Sequence, residues 1–146
     1  MAELGHVVFY VRELARSVQF YTELVGLTEI GRIFGGRAAI LTGGRTHHEL
    51  LLIEMGEAQG PPQGRRIGLY HVGWKIGESV DELRNLYQKL QQADYPVDGL
   101  SDHTVSQSLY LRDPDGNEVE LYVDDPLVDW RKDASWQAAP VRPLKL

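Results

Sequence analysis

The chain has 146 residues and no cysteine, with only two methionines, three phenylalanines and five histidines. Without cysteine there are no disulfides and no thiolate-held metals, which leaves His, Asp and Glu as the metal donors. No apolar run approaches the ~20 residues of a membrane-spanning helix, and residues 1–30 lack the basic-then-apolar layout of an export signal. Positive charge is also short: 15 Lys and Arg stand against 21 Asp and Glu, for a net charge of −6. That balance argues against nucleic acid or an anionic membrane as partner. What remains is ordinary, 42% hydrophobic and 25% charged, enough for one domain with a sizeable core. A cytoplasmic enzyme acting on a small molecule is the expectation.

The chain repeats itself. Gly5–Val11 reads as a strand rich in β-branched and aromatic residues. An amphipathic helix follows, with Leu14, Val18, Tyr21, Leu24 and Val25 at spacings of three and four, stopped at Gly26. Thr28–Phe34, Arg37–Leu41 and Glu49–Ile53 then read as strands, separated by Gly-rich turns. The second half has the same plan. Tyr70–Ile76 is a strand, and Ser79 with Glu82 forms a capping box ahead of a helix whose stripe is Val80, Leu83, Leu86, Tyr87 and Leu90. Pro96-Val97, Ser108–Leu111 and Glu118–Val123 supply the remaining strands, and Asp113-Pro114-Asp115-Gly116 turns the last hairpin. Gly56–Arg66, with Gly60-Pro61-Pro62-Gln63-Gly64, joins the halves. Residues 125–146 form a tail whose Trp130 and Trp136 favour packing against the domain or a partner subunit over a loose terminus.

His6 and His71 occupy matching places, each early in the first strand of its half and 65 residues apart (71 − 6). A lone strand histidine is usually a satisfied structural residue. Matching positions in duplicated strands, joined by Glu120 in the last strand, point instead to a metal. Two imidazoles and one carboxylate on one side of an ion leave its other positions open, which suits Fe(II) oxygen chemistry. Glu118 shares the face of Glu120, while Val119 and Leu121 take the other.

The stretch Tyr110-Leu-Arg-Asp-Pro-Asp-Gly-Asn-Glu-Val-Glu-Leu-Tyr122, with a Gly-His or Tyr-His strand opening each half, resembles the vicinal-oxygen-chelate superfamily over about residues 4–124. That superfamily includes glyoxalases, extradiol ring-cleavage dioxygenases, fosfomycin-modifying enzymes and bleomycin-binding proteins. The resemblance implies an α+β fold: two tandem βαβββ modules forming an open, cup-like mixed sheet around a metal site. Module one would cover about 1–55 and module two about 67–124, within a single domain of residues 1–124. It implies His6, His71 and Glu120 as the metal ligands.

Among these branches the chain is most similar to single-domain extradiol dioxygenases. Their pattern implies His48, His103 and Tyr110 as catalytic residues, Tyr110 standing ten residues before Glu120 (120 − 110). His103 lies seven residues before Tyr110, a loop shorter than the family's by two. Either His47 or His48 could face the metal; parity with Leu50 and Leu52 favours His48. The implied chemistry uses Fe(II), with Mn(II) equally suited, to open a catechol-type ring with O2. His48 would stabilise negative charge on oxygen and return a proton, Tyr110 would hydrogen-bond the substrate oxygen, and His103 would hold the proton of the substrate hydroxyl. A homodimer or higher homo-oligomer is the expected assembly.

Three alternatives stay open. A glyoxalase or epimerase would want a fourth ligand from the last strand of module one, where Glu54 is the nearby carboxylate and Leu50 is read as the counterpart of Glu120. A fosfomycin-type transferase shares the two-His, one-Glu set. A metal-free binding protein would have no use for that set.

Overall fold

Val7–Val11 (β1) alternates its side chains, so that Val7, Phe9 and Val11 share one face and Val8 and Tyr10 the other. The computed structural model describes every residue from Met1 to Leu146. These fall into two units: residues 1–63 with 113–116, and residues 64–112 with 117–146.

In the first unit β1 is followed by α1 (Leu14–Glu23), β2 (Thr28–Ile33), β3 (Ala38–Thr42) and β4 (Leu50–Glu54). The sheet order is β1-β4-β3-β2, with β1 and β4 parallel and the other neighbours antiparallel. One face carries Val11, Ala39, Leu41, Leu50 and Leu52, all buried along with Leu14, Phe20 and Tyr21 of α1. Each buried Leu or Phe contributes about 1.5–3 kcal/mol by leaving water. The start of α1 has no side-chain cap of its own. Instead, Leu14 donates its N–H to Glu54 Oε2 at 2.8 Å, placing a carboxylate at the positive end of the helix dipole. The turn Asp113–Gly116 groups with this unit: the Tyr21 hydroxyl donates to Asp113 Oδ2 at 2.8 Å, and the Arg12 N–H to Asp115 Oδ2 at 3.2 Å. Gly116 supplies the positive φ (90°) that closes the turn.

The second unit repeats the plan. It contains β5 (Val72–Gly77), α2 (Val80–Gln92), β6 (Val97–Asp102), β7 (Ser106–Arg112) and β8 (Glu118–Asp124), then a 3-10 turn (Ser135–Ala138) and β9 (Arg142–Pro143). The order is β5-β8-β7-β6-β9, with β5 and β8 parallel. Leu109, Leu111, Val119, Leu121 and Val123 share one face and are buried, as are Leu83 and Leu90 of α2. The capping box at Ser79 and Glu82 forms as expected. The far end of the tail is not loose: β9 pairs with β6, and Arg142 holds Asp102 at 3.0 Å.

The two βαβββ modules expected from the sequence are therefore present, and each sheet is open. Their helix-free faces differ. In the first unit that face presents Val8, Tyr10, Ile40, Leu51 and Ile53; in the second it presents Lys75, Ser108, Tyr110, Glu118, Glu120 and Tyr122.

Candidate metal centre

Glu120 lies in the middle of β8, between the buried Val119 and Leu121, and so points away from α2. Its parallel neighbour on β5 is Gly73, and its antiparallel neighbour on β7 is Tyr110. His71 stands one residue before β5, with Nε2 3.0 Å from Glu120 Oε2. The other carboxylate oxygen, Oε1, accepts from the Ser108 hydroxyl at 2.6 Å and the Tyr110 hydroxyl at 3.0 Å. Tyr110 oxygen is in turn 2.8 Å from His103 Nε2, at the end of β6. A phenol has one proton, and here it goes to Glu120; His103 must then carry its proton on Nε2 and donate it to Tyr110. Burial first, and then the Glu120 charge and hydrogen bond, push the Tyr110 pKa up, so the phenol keeps its proton. The result is a half-buried chain running His103–Tyr110–Glu120–His71.

His6 and His48 belong to the first unit. His6 stands one residue before β1, and His48 two residues before β4, the strand beside it. Their ring centroids are 4.5 Å apart, and the His47 ring lies 4.4 Å from that of His48, tilted by 45°. Burial, then the neighbouring His47 and His6, lower the His48 pKa, which keeps its imidazole neutral at neutral pH. The loop carrying His47 and His48 is wound around the carboxylate of Glu49. That group accepts from the backbone N–H of Gly43 at 2.7 Å, of Arg45 at 3.1 Å and of Thr46 at 3.1 Å, and from the Thr42 hydroxyl at 3.0 Å. Arg45 reaches back to donate to the Leu4 carbonyl at 2.7 Å, pinning the segment just ahead of His6.

Several sequence expectations need correcting. His6 and His71 precede their strands instead of lying within them, since β1 begins at Val7 and β5 at Val72. The counterpart of Glu120 is Leu51, not Leu50: Glu120 pairs with Gly73, two residues past His71, and Leu51 pairs with Val8, two past His6. Leu50 faces the helix. Leu51 is equally unable to bind a metal, so the apolar reading of that position survives the shift. Glu54, the other candidate for a fourth ligand, pairs with Val11 on the helix side and is committed to capping α1. Ser101 and Asp102 belong to β6, so His103 opens the short turn of residues 103–105 that leads into β7. Ser108 and Gly73 were not singled out from the sequence. Ser108 shares the face of Tyr110 by strand alternation, and the register brings it to Glu120.

A sequence profile of the Glyoxalase/Bleomycin resistance protein/Dioxygenase superfamily matches residues 3–121. The chain belongs to this superfamily. Within it, the chain is 34% identical over 130 residues to catechol-2,3-dioxygenase of Bacillus subtilis (strain 168), a match covering 89% of this chain and 44% of that protein. The chain thus spans less than half the length of that dioxygenase. It is 31% identical over 125 residues to glutathione transferase FosA of Serratia marcescens, covering 84% of this chain and 82% of that one. The crystal structure of a glyoxylase/bleomycin resistance protein/dioxygenase domain from Frankia sp. EAN1pec superposes with a TM-score of 0.68 at 25% identity, covering 86% of this chain and 99% of that one.

No group of three or more His, Asp or Glu side chains is arranged to hold an ion. The second unit nonetheless offers part of the donor set on which superfamily metal chemistry could draw. Two donors about 2.1 Å from one ion and at right angles to each other are ~3.0 Å apart. His71 Nε2 and Glu120 Oε2 have that separation, 3.0 Å. A Cβ at residue 73 would come within 3.3 Å of Oε2, so glycine keeps the space beside that oxygen free. That spacing suits two donors on one ion.

Proposed function

We propose that the chain is an extradiol ring-cleaving dioxygenase that opens a catechol-type ring beside its vicinal hydroxyls, adding both atoms of O2. His6, His71 and Glu120 would hold Fe(II), or Mn(II). Bound there, the ion would supply the electronic link between a chelated catecholate and O2. The observation that carries the reading is the His103–Tyr110–Glu120–His71 chain, which couples a carboxylate donor to a proton path. Leu51 at the matching position supports it by leaving the coordination incomplete.

The remaining roles belong to the chain's own side chains. Tyr110 sits between His103 and Glu120 with its proton held toward the carboxylate. A substrate hydroxyl that meets the phenol oxygen or His103 would therefore find a relay with somewhere to pass its proton. His48, kept neutral by burial and its histidine neighbours, offers an N–H to negative charge growing on oxygen, and neutral imidazole can also take a proton.

The test is to load the chain anaerobically with Fe(II), add catechol or 2,3-dihydroxybiphenyl, and admit air. Oxygen uptake of one molecule per ring and a yellow ring-opened product are expected. No turnover across a catechol panel, with isomerisation of a hemithioacetal by the Ni(II) form, would overturn the reading. The FosA relative, matched over most of its length, favours one second reading: transfer of glutathione to a phosphonate epoxide. Formation of a glutathione–fosfomycin adduct by the Mn(II) form, without oxygen uptake on catechols, would establish that one instead.

A further inference from the structure

We propose that Ser108 is a positioning residue that makes Glu120 a one-oxygen ligand, with Oε1 held by Ser108 and Tyr110 and Oε2 left beside Gly73 for the metal. The inference rests on the reading of Glu120 as a ligand. Ser108 is fully buried, one of three buried polar residues in the chain, and precedes the core residue Leu109. A hydroxyl in that setting needs a partner, and it donates to a carboxylate oxygen at 2.6 Å, the distance of a charge-assisted bond.

Ladder geometry explains how two residues of one strand reach the same atom. Tyr110 is directly across from Glu120, whereas Ser108 is across from Tyr122, one step along the same face. The direct and diagonal neighbours both lie within reach of a long side chain. Their two hydrogen bonds use both lone pairs of Oε1. Oε2 then has His71 Nε2 alone.

The duplication supplies an internal control. By register, Gly73, Ser108, Tyr110 and Glu120 correspond to Val8, Ala38, Ile40 and Leu51 of the first unit. All four are apolar there, so the carboxylate, its two hydroxyl donors and the missing side chain occur together or not at all. The chemical consequence is a count. A carboxylate that binds through one oxygen would leave one more position open to a diol or O2 than one gripping through both.

The experiment compares wild type, Ser108→Ala and Glu120→Gln as intact chains, titrated anaerobically with Co(II) and followed by the visible spectrum of the bound ion. Ser108→Ala is nearly isosteric, and thermal unfolding checks that it folds. The expected result is a Co(II) affinity ~10–100-fold weaker, the usual cost of losing an outer partner of a ligand, with a changed ligand-field spectrum. Wild-type affinity and spectrum in Ser108→Ala, alongside loss of the ion in Glu120→Gln, would overturn this inference alone. Failure of wild type to bind Co(II), or unimpaired binding by Glu120→Gln, would remove the functional reading and this inference together.

Discussion

Tyr110 shows how much chemistry one hydroxyl can decide. Its proton lies toward Glu120 and its oxygen receives His103, so removing it breaks the hydrogen-bond chain while leaving Glu120 in place. Tyr110→Phe is therefore expected to keep its metal and to slow ring cleavage by roughly 10²–10⁴-fold, the scale of lost acid–base assistance. A metal titration and steady-state rates separate the two effects; full activity would remove Tyr110 from the relay. A motif's spacing was enough to single out Glu120 and Tyr110, which the β7–β8 register sets opposite each other. Residues were misread where the answer depended on pairing. Leu50 and Leu51 are adjacent and chemically alike, and only the β1–β4 register says which of them faces away from the helix. Ser108 was missed for the same reason: a serine on a strand is unremarkable until the carboxylate diagonal to it is known.

At the scale of elements, the loop from Thr42 to Glu49 presents His47 and His48, and the Glu49 carboxylate is its hub. Burial works against the charge, but the N–H groups of Gly43, Thr46 and Arg45 and the Thr42 hydroxyl outweigh it and lower the Glu49 pKa below the ordinary carboxylate range. A depressed folded-state pKa means that the contribution is present above the unfolded value and is lost as pH falls through the folded one. Amide-exchange protection of Gly43, Arg45 and Thr46 is thus expected to hold at neutral pH and in mild acid, and to fall only as the pH drops below the ordinary carboxylate range. Glu49→Gln should show the lowered protection at every pH, and protection equal to wild type in that variant would contradict the hub. The hairpin turn at Asp113 makes a second prediction. Tyr21 is fully buried and donates to the nearly buried Asp113. Tyr21→Phe should cost about 1.5–3 kcal/mol in urea unfolding, because it strips a donor from a charged acceptor. Element identities were readable from periodicity and capping residues, the Ser79–Glu82 box among them. Element ends were not: β6 extends through Ser101 and Asp102 because β7 and β9 pair with them, a tertiary cause invisible to local pattern.

At the scale of the whole molecule, the chain is one βαβββ plan used twice with different faces. The first copy keeps an apolar helix-free face, and the second turns the same positions to a carboxylate, a phenol and a serine. The repeat was evident in the sequence because hydrophobic pattern and turn chemistry repeat together. The division of labour was not, since it lies in four scattered positions whose kinship is set by register. Superfamily membership accounts for the plan, while the ligand set remains the claim on which the functional account stands. That claim is tested most directly by anaerobic Fe(II) titration of wild type, His6→Ala, His71→Ala and Glu120→Gln. One ion per chain in wild type, and loss of affinity by more than ~100-fold in each variant, beyond what an outer partner costs, is the expected result. Wild-type binding in His6→Ala, or no ion bound by wild type, would contradict the account.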